Sequence, residues 1–73
     1  MQLKPLPFHE VCCRLKAAGF SEVSQKGSHV KFSKVSLDGT RIAIVPKHAE
    51  VKVGTMRSIL RQAGITPEEW NEL

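Results

Sequence analysis

His29-Val30-Lys31-Phe32-Ser33-Lys34-Val35, then Ser36-Leu37-Asp38-Gly39-Thr40, then Arg41-Ile42-Ala43-Ile44-Val45-Pro46, is the stretch on which the fold turns. Successive side chains of a strand point to opposite faces. In the first run Val30 and Phe32 therefore point one way, and His29, Lys31 and Ser33 the other. Asp38-Gly39 is a strong turn signal between the two runs. Arg41 to Val45 reads as the returning strand, with Ile42 and Ile44 on the core face and Arg41 on the other, and Pro46 ends it.

Towards the N-terminus, Gly27-Ser28 is a short turn and Ser21 to Lys26 a weak strand around Val23. Phe8, Val11, Cys12, Leu15 and Ala18 follow helical spacing, with Pro7 suited to the first helical position and Gly19 to the stop. This predicts a first helix over roughly 7–18. Towards the C-terminus, Lys47 to Val53 reads as a polar, basic loop. Met56, Ile59, Leu60 and Ala63 mark a second amphipathic helix after Gly54-Thr55 and before Gly64, with Arg57 and Arg61 one turn apart on its exposed side. Thr66-Pro67-Glu68-Glu69 has the pattern of a capping box, which starts a short terminal helix whose Trp70 packs back on the domain.

The order helix, three strands, helix predicts an α+β fold: an antiparallel three-stranded sheet with both helices on one face and a short C-terminal helix. Val30, Phe32, Ile42 and Ile44 would meet Leu15, Ile59 and Leu60 in the core. The opposite face would carry His29, Lys31 and Arg41 as an open, basic surface.

The chain has 73 residues, which bounds it to a single domain over residues 1–73. Its formal net charge of +4 favours polyanionic partners: nucleic acid, an acidic protein or an anionic membrane. No apolar run approaches a membrane span, and Met1 to Phe8, with two prolines, is no signal peptide, so the cytoplasm is expected. Cys12 and Cys13 are adjacent and read as reduced thiols in a helix rather than a disulfide framework. A zinc site from His9, Cys12 and Cys13 has no recognisable fourth ligand, so neither metal nor cofactor is expected.

The chemistry concentrates in Gln25-Lys26-Gly27-Ser28-His29-Val30-Lys31-Phe32. His29 follows a flexible turn and projects to the polar face beside Lys31. An imidazole exchanges protons near neutral pH, and RNA cleavage needs a base for a ribose 2′-hydroxyl plus cations for the charge that develops at phosphorus. Lys26, Lys31, Arg41 and Lys47 are the candidate cations, and His48 is placed to contact phosphate or assist protonation. An exposed histidine among lysines is also an ordinary solvated surface residue, and Arg57 and Arg61 an ordinary solvated helix face. Spacing alone does not choose between these readings.

The chain nevertheless resembles a known family, the HicA toxins of toxin–antitoxin systems. The matching residues are Ala18-Gly19-Phe20, Gln25-Lys26-Gly27-Ser28-His29, Ile44-Val45-Pro46, and Gly54-Thr55-Met56-Arg57-Ser58-Ile59-Leu60-Arg61-Gln62-Ala63-Gly64-Ile65. The resemblance covers nearly the whole chain. It implies a fold similar to the double-stranded-RNA-binding domain and a ribosome-independent mRNA interferase whose catalytic histidine maps onto His29. Lys26, Gly27, Ser28, Lys31, Arg41, Lys47 and His48 are then the expected RNA-binding residues. It also implies a HicB-like antitoxin partner that covers this site, is usually encoded by the adjacent gene, and carries the DNA-binding domain by which the complex regulates its operon. The free toxin is expected to be a monomer, with mRNA as substrate and no membrane association. Two positions depart from the family pattern. Val30 stands where many relatives have a second histidine, which argues against a paired-histidine mechanism, and His48-Ala49 replaces a common His-Gly.

Two other function classes fit the same features. A non-catalytic RNA-binding module would read A-form RNA through shape and backbone. A purely protein-binding subunit would dock its basic face on an acidic partner and show no RNA affinity.

Overall fold

The computed structural model describes residues 3–73. In chain order the elements are β1 (Leu6–Pro7), α1 (Phe8–Ala17), β2 (Ser21–Lys26), β3 (His29–Ser36), β4 (Gly39–Pro46), β5 (Glu50–Val51), α2 (Val53–Ala63) and α3 (Pro67–Asn71). Strands β2, β3 and β4 form an antiparallel sheet in that order, with β3 in the centre. This is the α+β arrangement expected of a double-stranded-RNA-binding-like domain.

The β3–β4 hairpin corrects the sequence reading in two linked ways. Its two-residue loop is Leu37-Asp38, because Ser36 pairs with Gly39 and Gly39 already belongs to β4. Gly39 takes the positive φ of the connection, +126°. The register that follows places Val30 opposite Val45 and Phe32 opposite Ala43. Facing residues of an antiparallel pair share a face, so Ala43 and Val45 are the buried residues of β4. Ile42 and Ile44, expected in the core, lie on the other face with Lys31 and Ser33 opposite them. Arg41, expected on that open face, pairs with Lys34 on the helix side instead. A one-residue phase change flips every side chain of a strand.

The covered face carries the core. Val30, Phe32, Ala43 and Val45 form one buried cluster with Val11, Leu15, Met56, Ile59, Leu60 and Trp70, among others. Both helices thus lie on one side of the sheet, and α2 packs chiefly on β4. The small Ala43 side chain leaves room for that approach. Among the described residues no polar or charged side chain is buried.

Helix α1 starts at Phe8, one residue later than predicted, because Pro7 is extended (ψ 150°) and pairs with Glu50 in a two-stranded sheet. That pairing, Leu6 with Val51 and Pro7 with Glu50, gives structure to a segment expected to be loop. Helix α2 begins at Val53, so Gly54 and Thr55 lie within its first turn rather than before it. Both long helices end alike: Phe20 N–H donates to Leu15 O at 2.9 Å, and Ile65 N–H to Leu60 O at 3.0 Å. This six-to-one bond satisfies carbonyls that a helix end leaves open.

The capping box of α3 is present as read. Glu69 N–H donates to Thr66 Oγ1 at 3.1 Å, and Thr66 N–H donates to Glu69 Oε1 at 2.9 Å. Those bonds favour the ionised form and hold the Glu69 carboxyl below its ordinary pKa, with the Thr66 backbone N–H the largest cause. Trp70 is buried, and Arg14 fastens it by donating from Nη1 to its carbonyl at 3.0 Å. The same guanidinium lies 5.6 Å from the indole centroid.

Candidate functional site

The turn that opens β3 is built to present a side chain. Lys26 pairs with His29, which leaves Gly27-Ser28 as a two-residue hairpin loop. Gly27 has φ +60° and Ser28 does not have a positive φ. A positive φ at the first central position only is the type II′ pattern, whose twist matches the flanking strands and which calls for glycine there. A Cβ on Gly27 would meet nothing within 4 Å, so glycine serves the backbone angle and not a tight fit.

The turn is held from two sides. Gln25 Nε2 donates to Gly27 O at 3.2 Å. Lys47 N–H donates to Ser28 O, which ties the segment after β4 to the turn. His48 N–H donates to Pro46 O at 2.9 Å and curls that segment back. His29 itself is exposed, pairs with Lys26 on one side and Pro46 on the other, and so stands at the end of the central strand.

A cavity of about 620 Å³ opens on this end of the uncovered face, lined by Ser24, Lys26, Gly27, His29, Lys31 and Ile44. Of the predicted site residues, Lys26, Gly27, His29 and Lys31 are therefore brought to one place. Ser28 occupies the turn beside them. Lys47 and His48 are exposed and joined to the turn through backbone bonds. The lining holds an imidazole and two ammonium groups and no carboxylate, which suits an anionic ligand.

Arg41 does not belong to this group. It lies towards the other end of β4, and its guanidinium packs against Gly64 so closely that a Cβ there would sit 2.9 Å from Cζ. Arg57 and Arg61 are also elsewhere, lining a smaller cavity of about 280 Å³ with Leu3, Leu60, Ile65 and Pro67.

Two lining residues escaped the sequence reading. Ser24 faces Lys31 only because a bulge between Glu22 and Ser24 shifts the β2 register, and a bulge in a weak strand carries no pattern. Ile44 was assigned to the core by the phase error in β4. Its N–H donates to Gln62 Oε1 at 2.8 Å, so α2 satisfies an edge group of β4 next to the cavity.

Among the described residues no three His, Cys, Asp or Glu side chains are grouped so as to hold a metal ion. Cys12 is buried and Cys13 exposed, which separates the thiols of the considered zinc site. Burial is the main cause that pushes the Cys12 thiol above its ordinary pKa, which disfavours the thiolate that would ligate a metal. No described helix is long and apolar enough to cross a membrane.

A family model described as the HicA toxin of bacterial toxin–antitoxin systems matches residues 8–65. No curated protein matches the chain in direct sequence comparison. The matched span runs from the first residue of α1 to the residue after Gly64, and so contains the sheet, the Gly27-Ser28 turn and the cavity beside it. This chain belongs to the HicA toxin family.

Proposed function

We propose that this protein is an mRNA interferase, a ribosome-independent endoribonuclease that uses His29 and no metal, acts in the cytoplasm, and is neutralised by a HicB-like antitoxin. The observation that carries this reading is the convergence of His29, Lys26 and Lys31 on one open cavity beside a turn held by two hydrogen bonds.

In this mechanism His29 takes the proton of a ribose 2′-hydroxyl. The 2′-oxygen bonds to the adjacent phosphorus, and the bond from phosphorus to the 5′-oxygen breaks. The departing oxygen receives a proton from the imidazolium or from water. The products are a 2′,3′-cyclic phosphate and a 5′-hydroxyl. Lys26 and Lys31 offset the negative charge that builds on the phosphoryl oxygens, and the exposed Lys47 and His48 hold neighbouring phosphates. Two-metal phosphoryl transfer draws on several convergent carboxylates. Here the carboxylates of Asp38, at the hairpin tip, and of Glu69, in the α3 cap, lie outside the cavity lining.

The second reading is a non-catalytic RNA-binding module, which would use the same cations without the proton transfer. Purified protein incubated with RNA in EDTA separates the two. Cleavage with cyclic-phosphate ends, and none of a strand carrying 2′-deoxyribose at the cut site, is the expected result. RNA that is bound and left whole supports the module. Activity lost in EDTA and restored by magnesium contradicts the imidazole mechanism.

A further inference from the structure

The face that carries His29 is not polar throughout. Along β3 and β4 it turns apolar with distance from the turn. Ile44 lines the cavity, Ile42 is 41% exposed, Val35 is 80% exposed, and Leu37 at the hairpin tip is fully exposed. The register makes these a stripe: Ile44 opposite Lys31, Ile42 opposite Ser33, and Val35 opposite Thr40. Val35 and Ile42 are thus diagonal neighbours across the ladder. Val35 is six residues from His29 along β3, roughly 20 Å at the rise of a strand.

The phosphate backbone of a polyanion gains little from covering such a stripe. Its phosphates are served by Lys26, Lys31 and the Lys47 loop, and its affinity is largely electrostatic. A protein can bury the apolar end and pair with the lysines at once. The net charge of +4 makes an acidic surface complementary, and membership of a toxin–antitoxin family supplies a partner. We infer that the antitoxin anchors apolar side chains on Val35, Leu37 and Ile42 while its acidic groups meet Lys26 and Lys31. RNA uses the cationic end alone. The two ligands then compete at the lysines, and the antitoxin keeps a hold that RNA lacks. Salt that displaces RNA leaves the toxin sequestered.

This rests on the toxin reading above, and the test separates the two. The probe is the purified product of the reading frame adjacent to this chain's gene. Its Kd is measured for the wild type, for Leu37→Ser, and for Leu37→Ser/Ile42→Thr, alongside RNA cleavage by each. The double variant is expected to bind about 10–100-fold more weakly, as when central apolar contacts of an interface are removed. Its cleavage rate is expected to stay within about twofold, since neither position is in the cavity lining and exposed substitutions rarely disturb a fold. Leu37→Ser alone is expected to give an intermediate loss with an unchanged melting temperature.

An unchanged Kd overturns the docking surface, as does failure of the probe to bind the wild type. A free wild-type dimer that the double variant abolishes assigns the stripe to a second copy and overturns it too. A wild type that binds the probe yet cleaves no RNA overturns the nuclease reading instead, and the Kd comparison still decides the surface.

Discussion

The two faces of the β2–β3–β4 sheet are made by alternate residues of the same strands and have opposite physics. One face presents Val30, Phe32, Ala43 and Val45, all buried, to α1 and α2. The other presents Ser24, Lys26, His29 and Lys31 at one end, Ile42 and Val35 at the other, and no helix covers it. The covered face is worth its apolar area, because burial removes that area from water. The open face contributes little to stability and is free to carry groups chosen for chemistry. Stability and the proposed chemistry are therefore separated by a single step along each strand.

Adjacent residues on β3 should show the sharpest contrast. Phe32→Ala removes a fully buried ring and should cost about 3–5 kcal/mol, a large share of the stability of a small domain. Lys31→Ala, one residue away, should change the free energy of urea unfolding by about 0.5 kcal/mol or less. It should instead slow RNA cleavage by about 10–100-fold, below the loss expected for a fully enclosed donor because the cavity is open. Equal destabilisation by the two variants would break the distinction between the faces.

The next pair lies on β4. Ala43→Leu adds volume where α2 approaches the sheet and should cost about 1–3 kcal/mol by overpacking. Ile42→Thr keeps a β-branched residue on the open face and should cost about 0.5 kcal/mol or less. The reverse order in thermal unfolding would restore the phase that the sequence alone suggested.

The smallest effect concerns pH. No described buried side chain is polar or charged, so acid sensitivity should come from exposed carboxylates. Asp38 is held below its ordinary pKa, first by the hydrogen bond from Ser36 Oγ at 2.7 Å. A carboxyl depressed in the folded state contributes stability above its unfolded pKa and loses it as pH falls through the folded value. Wild type should therefore exceed Ser36→Ala slightly at neutral pH, and the two should converge on acidification. Full exposure of Asp38 keeps the difference small. A gap that widens in acid would contradict the assignment.

What was legible in the chain was local. The alternation of Val30 and Phe32 with His29 and Lys31 set β3, and Thr66 with Glu69 marked the α3 cap, because each signal lies within a few consecutive residues. The grouping of Lys26, Gly27, His29 and Lys31 beside one turn was legible for the same reason. What failed depended on pairing. Ile42 to Val45 is apolar at every position, so alternation could not choose its phase, and the choice lay in a loop at Leu37-Asp38 rather than Asp38-Gly39. Arg41 was misplaced with it. The pairing of β1 with β5 is two residues long, too short for any periodicity. Gly54-Thr55 looked like a boundary, yet the extended Lys52 after β5 is the residue from which α2 starts.

His29 is proposed to supply catalysis from the open face without supporting the fold. Single-turnover RNA cleavage by wild type and His29→Ala, in EDTA and at matched concentration, tests it most directly. Loss of a general base should slow the variant by about 10²–10⁴ while its melting temperature stays unchanged. Cleavage at the wild-type rate by a folded His29→Ala protein would contradict the account.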